Sequence, residues 1–104
     1  MVAWYTTEKV AGKQISKHLG VATGSTIRAR NIGRDIVAGL RTLVGGEVPE
    51  YTEMMAHARN QAIERMLQKA TDMGADAVVG VRFSTAMIMQ GTAEVMAFGT
   101  AVKL

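Results

Sequence analysis

From residue 51 onward, Met55, Ala58, Ala62, Met66, Ala70 and Met73 recur three or four positions apart, with Ile63 beside them. That spacing gathers apolar side chains on one stripe of an α-helix, and it predicts a helix from about Tyr51 to Met73. Pro49 and Thr52 suit its start, and Gly74 suits its stop. At about 1.5 Å per residue it would run roughly 33 Å, enough to lie right across a sheet.

The C-terminal third changes period from 3.6 to two, which predicts a β-hairpin with Gln90 and Gly91 at the turn. The simplest register opposes Phe83 to Phe98, Val81 to Thr100 and Val79 to Val102. One face then carries Val79, Val81, Phe83, Thr85, Met87, Met89, Met96 and Phe98. The other carries Val78, Gly80, Arg82, Ala97, Gly99 and Ala101, mostly small, and small side chains let a helix come close. The long helix is therefore expected on that second face.

Upstream, "KQISKHLGVATGSTI" sets Ile15, Val21 and Ile27 among polar and β-branched residues, with Gly20 and Gly24 as bends or bulges. It reads as one long bent strand or a hairpin. "NIGRDIVAGLRTLVGG" spaces Ile32, Ile36, Leu40 and Leu43 for a second, shorter helix, with Asn31 as N-cap and Gly45 as stop. Together these elements predict one α+β domain spanning residues 1–104, an antiparallel sheet packed against one long and one short helix.

The chain has 104 residues and 48% hydrophobic content, enough for one small core, yet both hairpin faces are too apolar to stand in water. Self-association is expected. The absence of cysteine excludes disulfides, thiolate nucleophiles and cysteine-ligated metal. No signal-peptide pattern or membrane-length apolar run occurs, which points to a cytoplasmic protein. Charge is uneven: residues 1–46 hold seven Lys and Arg against two acids (net +5), and residues 47–104 hold five against seven (net −2). Without a basic run, and with 5% aromatics, this argues against nucleic acid and suits complementary subunit faces.

Chemistry is sparse. Neither G-x-G-x-x-G nor G-x-x-x-x-G-K-[ST] occurs, and Gly74 precedes its strand where a dinucleotide loop follows one. Glu53, His57 and Glu64 can share one side of the long helix and are the candidate metal donors. Met87, Met89 and Met96 fall on one predicted face, where an apolar interface competes with soft-metal binding. Neither His18 nor His57 stands with a nucleophile and an orienting acid, so no enzyme activity is expected, and the sequence leaves the cofactor unknown.

Several unusual elements recur in one order: Asn31, Arg34 and Asp35 at the short helix start, Gly39, Arg41, Gly45 and Gly46, Tyr51, Arg59, Gly74 to Asp76, Gly80, and Gly99 to Val102. In these the chain resembles, over about residues 12 to 103, the YbjQ family of small bacterial proteins, which carries a heavy-metal-binding label. The resemblance implies an α+β subunit with an antiparallel sheet on a long helix, assembled as a ring, a homopentamer. It implies no reaction, and "EVPEY" departs from the small and basic residues that follow the glycine pair in that family. Arg34, Asp35, Arg41, Tyr51, Arg59 and Asp76, polar and near element ends, are the candidate lining of a ligand site at subunit boundaries. A structural or protein-interaction ring without ligand is the alternative, and a weak nucleic-acid binder the second.

Overall fold

A computed structural model of the chain describes residues 2–29, 49–89 and 92–104. The period-two segments form β1 (Ala3–Trp4), β2 (Lys17–Ala29), β3 (Ala77–Met89) and β4 (Thr92–Lys103), and the helical stripe forms α1 (Pro49–Asp72). The sheet order is β1-β3-β4-β2. The short helix expected after Asn31 lies outside the described residues, as does the turn at residues 90 and 91.

The sheet is mixed, which corrects the all-antiparallel expectation. β2 and β3 each pair antiparallel with β4, whereas β1 runs parallel to β3, matching Ala3 with Ala77 and Trp4 with Val78. A two-residue strand is too short to leave a periodic signal, so "MVAWYTTEKV" gave no warning of it. It is held by non-local bonds: the Tyr5 amide donates to the Val78 carbonyl (2.9 Å) and the Val81 amide to the Tyr5 carbonyl (3.0 Å). Residues 2–8 thus form a strap along the first half of β3.

The hairpin register also differs from the simplest one. Phe83 faces Ala97, Arg82 faces Phe98 and Val79 faces Thr100, with irregularities between Val79 and Arg82 and between Met87 and Met89. Gly80 lies at the first of these with φ of 64°, a backbone state that L side chains resist, and its amide donates to the Thr7 carbonyl (2.8 Å). The extra residue exchanges the faces from Val81 to Met87, and the second irregularity restores them at Met89. Val78 and Val81 both join the core under α1, and Phe83 shares a face with Ala97 rather than with Phe98. Gly80 is therefore a bulge residue, not a small one keeping the helix face low.

α1 packs on small side chains, as expected. Ala58, Ala62, Met66 and Ala70 are fully buried against Ala22, Val78, Val81, Val95, Ala97 and Ala101. It stops in a Schellman motif: with Gly74 at φ of 82°, the Ala75 amide donates to the Ala70 carbonyl and the Gly74 amide to the Thr71 carbonyl, both at 3.0 Å. The helix lies mainly over β2 and β4 and barely touches β3. On the opposite face Val10, Ile15 and Leu104 cover Ala77, Val79 and Val102, forming a second small core at the strap end.

Away from that end the sheet is bare. Val21 (65% exposed), Ile27 (59%), Met87 (75%) and Met89 (63%) meet solvent, as do Phe83 and Ile88. The chain measures 53 × 24 × 19 Å with a radius of gyration of 17.0 Å, well above the roughly 13 Å of a compact chain this long.

The closest helix–sheet approach gives the first prediction. A methyl group at Gly24 would overlap the Met66 amide nitrogen and the Ala62 carbonyl oxygen and come within 2.7 Å of the Arg65 carbonyl carbon. All three are backbone atoms, so Gly24→Ala must push the helix off β2. It should cost about 2 kcal/mol or more, read as a lower urea midpoint, with helix content retained in circular dichroism.

Candidate functional site

Polar side chains collect where β2 runs beneath the N-terminal half of α1. The alternation that buries Ala22 and Gly24 continues to Thr26 and Arg28, so two polar residues follow small ones on the helix-facing side. Thr26 is buried. Its hydroxyl donates to Gln61 Oε1 (2.8 Å), and Arg28 Nη2 donates to the same oxygen (2.7 Å). One side-chain carbonyl thus fixes two donors and turns its own amide NH₂ away from them.

Arg28 is the unusual member. Its Nε is buried without a hydrogen-bond partner, and among the described residues no carboxylate pairs with its guanidinium. A half-buried cation held by one neutral acceptor leaves a charge to be met from elsewhere. One turn further along, Arg65 Nη1 donates to the Ser25 carbonyl (2.6 Å) and so reaches the outer backbone of β2.

The predicted metal donors do not converge. Glu53, His57 and Glu64 are all exposed, spread over eleven helical residues, which is about 16 Å of axis. His57 and Glu64 border a shallow depression of about 230 Å³ with Asn60 and Gln61, but Glu53 is not part of it. Among the described residues no three His, Cys, Asp or Glu side chains are grouped so that they could hold one ion. His18 sits at the other end of the sheet, beside Glu8, Val79, Gly80 and Thr100 in a hollow of about 350 Å³. The three methionines are divided by the bulge as well: Met87 pairs with Ala93 on the helix side, whereas Met96 pairs with Ser84 and Met89 with Thr92 on the open side.

Of the candidate ligand-site residues, Arg34, Asp35 and Arg41 lie outside the described residues. Tyr51 is in the opening turn of α1, and its side chain also lies outside them. Arg59 is exposed on α1. Asp76 is at the far end, past the helix stop, where its carboxylate accepts from the Leu104 amide (2.9 Å) and stands 3.7 Å from Lys103 Nζ. Within one subunit Arg59 and Asp76 are separated by most of the helix, so they do not share a site. Asp76 ties the chain's last residues to the start of β3. Among the described residues no helix is long and apolar enough to cross a membrane.

Comparison with known proteins gives the same outline. The YbjQ family, described as "Putative heavy-metal-binding", matches residues 2–104. The chain is similar to the UPF0145 proteins of Methanosarcina acetivorans (58% identical, covering 95% of this chain and 93% of that protein), Psychromonas ingrahamii (57%, 95% and 94%) and Thermus thermophilus (56%, 95% and 87%). Its fold is similar to a crystal structure of a protein of unknown function from Pediococcus pentosaceus assigned to the DUF74 family. That match has a TM-score of 0.70 at 17% identity and covers 99% of this chain and 97% of that one.

The Gln61 junction predicts a specific loss. Gln61→Ala removes the acceptor of both Thr26 and Arg28 and should destabilise by about 2 kcal/mol, since two buried donors lose their partner. Gln61→Glu keeps an acceptor and sets a charge opposite Arg28. Its urea midpoint should return to near the wild-type value.

Proposed function

The chain belongs to the YbjQ family, and from that premise we propose that it is a non-enzymatic homo-oligomeric binding protein, its subunits joined through the bare half of the sheet and a small ligand held where they meet. The observation that carries this reading is the exposed apolar surface: Phe83, Met87, Ile88 and Met89 on one strand and Val21 and Ile27 on another, on a subunit too elongated to cover them itself. Burying such a surface in a neighbour is favourable at roughly 25 cal/mol per Å². Five subunits is the number that the resemblance implies, and a cytoplasmic setting goes with the reading, supported by the lack of a membrane-length apolar helix among the described residues.

For the ligand, the support is Arg28, a cation without a counter-charge among the described residues of the helix–sheet seam. An anionic group from solution satisfies it. Metal is less well supported. The family description suggests it, but the described donors of one copy do not fit an ion, so the support for a metal is that description alone.

The purely structural ring is the second reading. It is favoured by Asp76, whose carboxylate is already spent on the Leu104 amide and Lys103. Native mass spectrometry of protein purified without chelator or denaturing step separates the two. The binding reading expects an oligomer with extra mass that Arg28→Gln removes while the subunit number stays the same. Extra mass unchanged in that variant, or an oligomer of bare subunits only, would favour the structural ring. A monomer at micromolar concentration would sink both.

A further inference from the structure

Gln61 has an orientation that its neighbours on the helix surface lack. A side-chain amide can turn either way about its last bond, but Thr26 Oγ1 and Arg28 Nη2 both donate to one atom of it, at 2.8 and 2.7 Å. Of the two amide atoms only the carbonyl oxygen accepts, so the amide nitrogen faces the other way. No described group accepts from that nitrogen, and Gln61 lines the hollow of about 230 Å³ that it shares with His57, Asn60 and Glu64. The hollow therefore holds a donor fixed from behind.

Arg28 strengthens this donor. A cation bonded to the carbonyl oxygen draws electron density across the amide and makes its N–H groups better hydrogen-bond donors. It also sets a positive charge one side chain behind the hollow, while its own Nε stays buried without a partner. Among the described residues no carboxylate meets that charge, and an oxyanion in the hollow would. Glu64 adds the opposite sign. Three residues on from Gln61, it lies on the same side of α1, and its carboxylate is exposed without a described partner. A plain anion entering the hollow would meet Glu64, and a plain cation would meet Arg28. His57 and Asn60 supply ring and amide groups that can donate or accept.

We propose that this hollow binds a small zwitterion, a molecule with a carboxylate and an ammonium a few bonds apart, its carboxylate on the Gln61 amide and its ammonium on Glu64. This rests on the reading that Arg28 draws an anionic group from solution, and it names the class of that ligand. Volume sets the size: drug-sized ligands fill roughly 300 to 1,000 Å³, so a hollow of about 230 Å³ takes a molecule on the scale of a single amino acid. His57, Asn60 and Glu64 are exposed, so hydrogen bonds rather than burial supply the affinity. A dissociation constant of about a millimolar is expected.

The test is an NMR titration of the intact protein with the standard amino acids one at a time, read at the side-chain amide signals of Gln61 and Asn60. Acetate and methylammonium serve as the two halves of the ligand, and inorganic phosphate as an anion without an amine. At least one amino acid should move both signals saturably, and acetate or methylammonium at the same concentration should not. Glu64→Gln, a change on an exposed helix position, should weaken that amino acid about tenfold or more and let acetate bind. An amino acid bound as well by Glu64→Gln as by the wild type would overturn the proposal, and that variant leaves the buried seam untouched. Saturation by phosphate or acetate, and by no amino acid, would overturn the zwitterion and keep the anion reading of Arg28. Signals that no probe moves would overturn the hollow as the site. The Arg28 reading survives that result if Arg28→Gln still removes the extra mass in native mass spectrometry, and falls with it if the subunits are bare.

Discussion

Most of this fold follows from how closely a helix can approach a sheet. At Gly24 the backbones of β2 and α1 come so near that there is no room for a methyl group, and Ala22, Ala97 and Ala101 on the sheet face Ala58, Ala62 and Ala70 on the helix. Small meets small only over β2 and β4. The helix is therefore drawn to that side, where dispersion contacts are densest, and the larger residues of β3 beyond the bulge are left without a cover. The apolar bare half is not a defect of packing. It is what close packing elsewhere leaves behind.

That displacement also shapes the polar seam. Because α1 lies directly over β2, the inward alternation of β2 reaches the helix with Thr26 and Arg28 as well as with alanine and glycine, and Gln61 is the side chain that meets them. A buried threonine hydroxyl is fully served by one amide oxygen. A guanidinium is not, and the shortfall at Arg28 Nε is the clearest unmet polar demand among the described residues. Family membership adds no reaction to this picture, since the relatives compared carry family designations rather than activities. The long, one-sided sheet and a cation that no described carboxylate meets stand as the chain's two open ends.

The parts legible in the sequence were those set by local pattern. The stripe from Met55 to Met73 needs only the 3.6-residue period, and Gly74 marks its own Schellman stop. The small-residue face of β4 was equally plain. What escaped was non-local. A glycine inside a strand can be a low spot or a bulge, and at Gly80 the choice is made by the Thr7 carbonyl, 73 positions away in the chain. Because that choice reverses the faces as far as Met87, Met87 parts from Met89 and Met96, which keep the open face. The Thr26–Arg28–Gln61 junction did leave a trace, two polar residues continuing the same inward alternation as Gly20, Ala22 and Gly24. In sequence such a trace cannot be told from an ordinary strand end, and the polarity of Asp76 serves the Leu104 amide and Lys103.

The strand order carries a further consequence for how the chain reaches its native state. β3 and β4 are neighbours in sequence and can pair early, whereas β2 must find β4 across nearly the whole chain, Lys17 opposite Lys103. Local contacts form on microsecond scales, and long-range pairing waits on loop closure. The hairpin is therefore complete, with its uncharged outer stretch in water, before β2 gives the helix the small-residue bed that it packs on. For a newly made chain the interval between those two events is the hazardous one, and its length is set by the search of β2 rather than by the stability of the finished sheet.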